Sequence, residues 1–246
     1  GINIRLNLFF GPIINAARGV AFQVSNALNS FAQNFSTAFR PQIVKTYAAD
    51  EKEKCMSLVF MASKISFFLM FFISLPVLLQ APFLLKIWLK EVPDYTVLFT
   101  RLVVIDAVIE SVSFALIGLM SAHGRIKEYQ LIVSGITLLN LPVSFIFLKL
   151  GFSAQITMII AIVISVVALV ARLLVLRWLT SLNLRSYLRN VLRPILIVTI
   201  ISSIAPLIVN HLMNETFISF ICVGFVSVIS VGAGICFLGL SKNERK

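Results

Sequence analysis

Long hydrophobic runs alternate with short polar connections along this chain. Residues 97–122 form one such run, which has two acidic residues inside it. The other five carry no charge, and each is long enough to cross a bilayer core, which needs about 20 apolar residues per helix: 65–85, 129–148, 150–171, 194–214 and 216–241. None of them alternates strictly, as a strand of a membrane barrel would. The pattern predicts an all-α integral membrane protein.

The segment 11–39 has a different pattern, because half of the predicted helix is polar yet residues 19–39 contain no charge. At about 100° per residue, the amide and hydroxyl side chains fall on one half of the helix. Its members are Gln23, Ser25, Asn26, Asn29, Ser30, Gln33, Asn34, Ser36 and Thr37. Such groups bind sugars or join helices, and we interpret this face as the lining of a water-filled cavity.

Counting this polar helix, the pattern predicts about seven complete transmembrane helices, and residues 2–10 are expected to be the end of an earlier one. The chain starts at Gly1, with no initiator methionine and no charged leader. We therefore expect it to be the C-terminal part of a larger protein. The missing N-terminal half is then an expected partner in any shared cavity.

The runs divide the chain into three parts. Residues 1–178 are predicted to form a six-helix lobe that is truncated at its start, and residues 194–246 two additional spans with a short basic tail. Between them, residues 179–193 place three arginines at four-residue spacing beside apolar side chains: Arg185, Arg189 and Arg193. This pattern favours a cytoplasmic interfacial helix that binds anionic headgroups, and a solvated linker is the alternative.

The basic residues also predict the orientation, because cytoplasmic loops are enriched in Lys and Arg. A cytoplasmic C-terminus places most of them on the inner side: Arg40, Lys45, Lys52, Lys54, Arg125, Lys127, Arg172, Arg177, Arg185, Arg189, Arg193, Lys242, Arg245 and Lys246. The outer side then holds Arg18, Lys86, Lys90, Arg101 and Lys149. The net charge of +11 thus reflects topology and contact with membrane lipids. No soluble basic surface is predicted, which argues against a nucleic-acid partner.

Charged residues inside predicted spans are candidates for function, since a charge in hydrocarbon is costly. Asp106 and Glu110 lie on one helical stripe of the run 97–122. One interpretation is that they pair with Arg101 and with Lys64 of the preceding span and lock two helices together. The other is that they couple a proton or cation to transport.

Two arginines flank the turn at the start of the polar helix. Arg5 and Arg18 could hold a phosphate by paired hydrogen bonds if they face a partly dehydrated cavity. In the alternative interpretation, Arg18 only anchors the outer end of its helix. A polar wall for sugars beside a cation for phosphate would suit a lipid-linked glycan.

The sequence offers no pattern for catalysis. The three cysteines and two histidines have no metal-ligand spacing, and there is no phosphate-binding glycine loop or nucleophile elbow. We therefore predict a protein that is not an enzyme and that has no metal site and no cofactor.

Three segments of the chain resemble a known family. NLFFGPIINAARGVAFQVSNALNSFAQNFSTAFRPQIVKTYAA, IWLKEVPDYTVLFTRLV and SAHGRIKEYQ are similar to the second half of bacterial polysaccharide flippases of the Wzx type, in particular those of Bacteroidetes. These flippases belong to the multidrug, oligosaccharidyl-lipid and polysaccharide exporter superfamily. The resemblance implies the C-terminal lobe of a MATE-like two-lobe helical transporter, located in the bacterial inner membrane.

The resemblance also implies an activity, namely translocation of a polyprenyl-diphosphate-linked oligosaccharide for O-antigen or capsule synthesis. The expected partners are the lipid-linked oligosaccharide and the polysaccharide polymerase machinery. On this basis, the predicted substrate cavity is lined by Arg5, Arg18, Gln23, Asn26, Ser30, Gln33, Asn34 and Thr37.

Two other functions remain open. One is a proton- or sodium-coupled multidrug or metabolite antiporter of the same superfamily. The other is a membrane subunit without a transport role, in which the polar face from Gln23 to Thr37 would be a seam between packed helices.

Overall fold

The computed structural model describes residues 12–89, 91–180, 182–214, 216–240 and 244. All regular structure in these ranges is helical. In chain order the helices are α1 Pro12–Thr37, α2 Arg40–Ala48, α3 Lys52–Leu79, α4 Ala81–Leu89, α5 Thr96–Ser111, α6 Phe114–His123, α7 Ile126–Leu138, α8 Asn140–Lys149, α9 Ile156–Thr180, α10 Leu184–Tyr187, α11 Arg193–Leu212 and α12 Phe217–Gly234. A π-helical turn, Leu188–Leu192, joins α10 to α11, and a second one, Ile235–Gly239, follows α12.

Six helical stretches of the described chain are long and apolar enough to span a membrane. They are Lys52–Leu79, Thr96–His123, Ile126–Lys149, Ile156–Thr180, Leu184–Leu212 and Phe217–Gly239. This arrangement fits a multi-pass membrane protein. The predicted count of seven included α1. Its 26 residues extend over about 39 Å, but its polar face makes it less apolar than these six spans. The predicted earlier helix at residues 2–10 lies outside the described residues.

The long helix α3 is the centre of the packing. Helices α1, α5, α6, α11 and α12 all contact it. In the most apolar stretch of α3, 61% of the residues are buried. In the corresponding stretches of the four spans that follow α6, at most 28% are buried. Phenylalanines fill much of this core, and the rings of Phe67 and Phe71 stack at 5.9 Å. The peripheral spans expose mainly aliphatic side chains, as expected of helices that face lipid.

Helix α1 is held at the edge of this core by a stripe of mostly small residues. Ala17, Ala21 and Ala32 are fully buried, and the stripe is completed by Ile14, Ser25, Leu28 and Ser36. Small side chains let two helix backbones approach closely, and α1 packs most extensively against α5. The side of α1 that faces away from α5 is therefore available for contacts other than this packing.

The segment predicted as a separate interfacial helix has a different structure. Residues from Leu184 onward continue through the π turn into α11 as one 29-residue span. Asn183 starts it, because its Oδ1 accepts a hydrogen bond from the backbone N–H of Ser186 at 3.1 Å. Tyr187 is completely buried, and its ring meets that of Phe60 edge-on at 5.4 Å. Leu182, Tyr187 and Val191 of this segment are thus buried against the rest of the protein.

The predicted run starts at residue 194 because Arg193, the residue before it, is charged. A proline has no backbone N–H and usually marks the first turn of a helix. Here the chain remains helical before Pro194 by widening into the π turn Leu188–Leu192, a form of helix in which the hydrogen bonds shift by one residue. The span begins ten residues before the predicted start at residue 194.

Candidate functional site

The predicted polar face of α1 is exposed in the structure. Six of its nine members are exposed: Gln23, Asn26, Ser30, Gln33, Asn34 and Thr37. Two other polar residues of the predicted half, Ser25 and Ser36, are instead buried in the packing stripe. The exposed face therefore lies on the opposite side of α1 from its contact with α5.

The hydroxyl and amide groups of this face differ in their hydrogen bonding. Ser30 and Thr37 donate to backbone carbonyls one turn earlier in α1, at 2.8 and 2.7 Å. No hydrogen bond joins the amides of Gln23, Asn26, Gln33 or Asn34 to another side chain in the described part of the protein. Amides without protein partners inside a membrane need water or a polar ligand.

The C-terminal end of α1 forms one wall of a cavity of about 230 Å³. We call it the central cavity. It lies between α1, α5, α6 and α9, and its lining residues are Gln33, Ser36, Thr37, Arg40, Glu110, Ser113, Phe114, Ile117 and Arg172. Two cations, one carboxylate and several uncharged polar groups thus converge where the polar face of α1 ends.

Arg172 is the most constrained charge in this cavity. It is 8% exposed, and its Nη2 lies 3.8 Å from Oε1 of Glu110. That distance allows electrostatic attraction but is too long for a hydrogen bond. Its Nε also has no hydrogen-bond partner among the described residues. A buried guanidinium with unused donors is suited to an anionic ligand.

The sequence pattern assigns Arg172 to the basic residues of the inner side, just past the hydrophobic run 150–171. Helix α9 continues to Thr180, so Arg172 lies about 12 Å inside the end of the span. The predicted run ended at residue 171 because Arg172 is its first charge. The partner of this charge is Glu110 on α5, which no pattern along α9 could identify.

The pairs that one interpretation proposed, Asp106 and Glu110 with Arg101 and Lys64, are not formed within the described part of the protein. Lys64 forms a salt bridge with Glu244, with 2.6 Å between Nζ and Oε2, rather than with Asp106 or Glu110. Arg101 donates from Nε to the backbone carbonyl of Leu78 at 3.0 Å. Asp106 lies beside the hydroxyl of Ser165 on α9. These groups are therefore spread over several helix contacts, and of the four only Glu110 reaches the central cavity.

Arg18, one of the two predicted phosphate-binding arginines, lies apart from this cavity. Arg18 is about 22 Å from Gln33 along the axis of α1, and its guanidinium lies 5.1 Å from the centre of the Phe22 ring. Its Nε and Nη1 are buried without a hydrogen-bond partner in the described ranges. Arg5 lies outside the described residues. Arg18 is therefore far along α1 from the end of the helix that lines the central cavity together with Arg172.

A second cavity, of about 550 Å³, lies on the other side of Arg172. We call it the lateral cavity, because it is formed mainly by the peripheral pair α7–α8 against α6 and α9. Its polar lining residues are Glu110, Tyr129, Gln130, Ser134, Thr137, Asn140 and Arg172. The hydrophobic pattern of residues 129–148 indicated only an apolar span. The spacing of Gln130, Ser134 and Thr137, which share one helix face, was the signal that could have revealed it.

No model of a known family, no curated protein and no solved structure matches this chain. The resemblance to polysaccharide flippases therefore rests on the sequence segments quoted above. The described residues contain no group of three His, Cys, Asp or Glu side chains that could hold a metal ion. The polar face of α1, the central cavity and the lateral cavity are the features from which we infer a function.

Proposed function

We propose that this protein translocates a polyprenyl-diphosphate-linked oligosaccharide across the bacterial inner membrane. The observation that carries the proposal is the exposed, charge-free polar face of α1. Hydrocarbon offers no partner for its amides, whereas sugar hydroxyls both donate and accept hydrogen bonds. A glycan head in a cavity beside α1 would satisfy them while its polyprenyl chain remains in the lipid.

The charges of the central cavity support an anionic group on the substrate. Arg40 and Arg172 line this cavity at the end of the polar face, and among the described residues Glu110 is the one carboxylate that lines it with them. Guanidinium groups bind phosphate oxygens through paired, charge-assisted hydrogen bonds. A sugar-binding face that ends at two arginines fits a glycan joined to a diphosphate.

Movement of such a head would follow alternating access. In this mechanism the cavity faces the inner leaflet and then the outer one, while the substrate site stays near the middle of the membrane. The position of α1 at the edge of the helical core supports this role, because its polar face remains open to a second lobe. The C-terminal lobe of a MATE-like transporter is the architecture that we propose for residues 1–178.

A proton- or cation-coupled antiporter is the second candidate, and Glu110 is the observation that favours it. The Glu110 side chain is 45% exposed and lines both cavities, so a proton or cation could reach it. Carboxylates inside membranes often take part in such coupling. The arginine beside Glu110 disfavours a cationic drug as the transported compound.

The test is a mass-spectrometric profile of polyprenyl-diphosphate glycans in a strain that lacks the full-length gene. We expect the complete repeat unit to accumulate and the surface polymer to disappear. The wild-type gene should restore both, whereas a gene with Asn26→Ala and Gln33→Ala should not. Phe31→Leu is the matched control, because it changes an exposed but apolar position of the same helix.

An unchanged pool of lipid-linked glycan in the deletion strain would overturn the flippase proposal. Drug sensitivity and export of fluorescent cations would then test the antiporter directly. If the pool accumulates but Asn26→Ala with Gln33→Ala restores export fully, the polar face of α1 does not bind the glycan.

A further inference from the structure

The lateral cavity has features of a binding site that the transport proposal does not use. The span Ile126–Lys149, formed by α7 and α8, is the least buried of the six in the described protein, with 17% of its most apolar stretch buried. In a bilayer, most of this span therefore faces lipid. Polar residues nevertheless follow one edge of it, and Gln130 donates from Nε2 to Oγ of Ser134 at 2.8 Å. A polar recess that opens beside lipid can receive the headgroup of a lipid from the side.

The inner end of the lateral cavity supplies unused hydrogen-bond donors. The Tyr129 side chain is 3% exposed, and its hydroxyl lies near the guanidinium of Arg172. Neither this hydroxyl nor Nε of Arg172 makes a hydrogen bond of regular geometry among the residues that the structure describes, and the hydroxyl interacts only with the Arg172 side chain beside it. Buried polar groups are nearly always paired, so these two groups can accept a ligand that offers them well-aligned hydrogen bonds.

The type of donors and the lining indicate the class of ligand. A planar guanidinium and a phenol hydroxyl can both donate to oxygens of one phosphate group. The neighbouring Thr137 and Asn140 offer hydrogen bonds to a glycerol or sugar next to it, and Val133 and Leu141 offer apolar contacts to the start of an acyl or prenyl chain. Amphiphiles with a phosphate head combine these three chemistries.

Glu110 tunes this site. Its Oε1 lies 3.8 Å from Nη2 of Arg172, so the pair attracts without forming a hydrogen bond. Glu110 also faces the central cavity and is half-exposed there. A phosphate at Arg172 would meet repulsion from this carboxylate, and removal of the negative charge should strengthen phosphate binding.

We propose that the lateral cavity binds the phosphate headgroup of a membrane lipid, with Arg172 and Tyr129 as its donors and Glu110 as a weakening neighbour. The inference does not depend on the flippase proposal, because it rests on the packing of α7, α8 and α9. Two sources share this chemistry: an anionic phospholipid of the bilayer, and a polyprenyl phosphate.

Native mass spectrometry of the full-length protein in detergent tests the proposal. The probes are phosphatidylglycerol, polyprenyl monophosphate and, as a lipid of the same bulk without net charge, phosphatidylcholine. We expect at least one of the two phosphate-headed anionic lipids to bind tenfold more weakly to Arg172→Gln and severalfold more weakly to Tyr129→Phe. Glu110→Gln should bind the same lipid severalfold more tightly. The probe that responds identifies the source.

The matched control is Arg177→Gln, which removes an exposed arginine from the same helix. Its affinity for the anionic lipids should stay within twofold of wild type. An equal loss in Arg177→Gln and Arg172→Gln would overturn the proposal, because binding would then reflect surface charge. Unchanged binding in both Arg172→Gln and Tyr129→Phe would overturn it as well, and so would an equal response of phosphatidylcholine. Thermal unfolding of each variant shows whether it is folded.

Discussion

The Nζ atom of Lys64 lies 2.6 Å from Oε2 of Glu244, so a salt bridge joins the middle of α3 to the segment that follows α12. Lys64 is 4% exposed, and it lies in the most buried span of the described chain. A buried ammonium without its partner keeps the full cost of dehydration. We expect Glu244→Gln to lower the free energy of unfolding by about 3–5 kcal/mol, measured in mixed micelles.

Asp50→Asn is the control for this pair. Asp50 and Lys52 form a salt bridge of 3.4 Å that is highly exposed on both sides, and such pairs contribute about 0–1 kcal/mol. Asparagine also tolerates the positive φ of 55° at residue 50. If Glu244→Gln costs no more than Asp50→Asn, the buried pair does not stabilise the fold. Lys64→Met should lose less than Glu244→Gln, since it leaves no unpaired charge in the core.

The packing stripe of α1 predicts a sharp difference between neighbouring alanines. Ala21 is fully buried against the core, whereas Ala27 is exposed on α1. Ala21→Leu should separate α1 from α5 and cost about 1–3 kcal/mol, the usual range for an overfilled core. Thermal unfolding of the purified protein measures the change.

Ala27→Leu is the matched variant, with the same substitution in the same helix. It should leave the unfolding temperature nearly unchanged, because the larger side chain meets open space. Equal destabilisation by the two substitutions would contradict the orientation of α1 described here.

Two glycines near the end of the chain differ in the space around them. A Cβ atom at Gly239 would lie 2.7 Å from Cε2 of Phe68, a ring that is itself 2% exposed and cannot move aside. A Cβ atom at Gly232 would meet nothing within 4 Å. We expect Gly239→Ala to destabilise the protein by about 1–3 kcal/mol.

Gly232→Ala should instead be neutral or stabilise α12 by up to about 1 kcal/mol, because alanine favours the helix more than glycine does. Unfolding curves of the two variants in the same detergent decide the matter. A loss of stability in Gly232→Ala that matches the loss in Gly239→Ala would show that the π turn Ile235–Gly239 does not pack on Phe68 as described.

The polar face of α1 should affect transport without affecting stability. Asn26 and Gln33 are exposed, whereas Ala21 is fully buried, so Asn26→Ala with Gln33→Ala should change the unfolding temperature by less than Ala21→Leu does. The same double variant should abolish export of the glycan. If it unfolds the protein instead, the face is a seam between packed helices, as in a subunit without a transport role.

The pattern of hydrophobic runs predicted a helical membrane protein. The structure confirms the helices of the described residues, and six helical stretches are long and apolar enough to span a membrane. The physical reason is that a bilayer demands a fixed length of apolar helix with internal backbone hydrogen bonds. The exposure of Gln23, Asn26 and Gln33 was also predictable, because residues at helical spacing share a face. The same rule misplaced Ser25 and Ser36, which have polar side chains small enough to pack between helices.

For charges inside the spans, the sequence alone does not identify the partner residues. A pattern can reveal that Lys64, Glu110 and Arg172 need partners, but the partners lie on other helices. Lys64 meets a residue 180 positions away, and Arg172 meets Glu110 across the contact of α9 with α5.

The sequence by itself therefore determined the class of the protein, its six apolar spans and the polar face of α1. Each of these depends only on local composition and helical periodicity. The tertiary structure decided which face of α1 is buried, which charges pair, and that Arg172 lies between two cavities. These features depend on how helices distant in sequence come together, and local patterns contain no information on that choice.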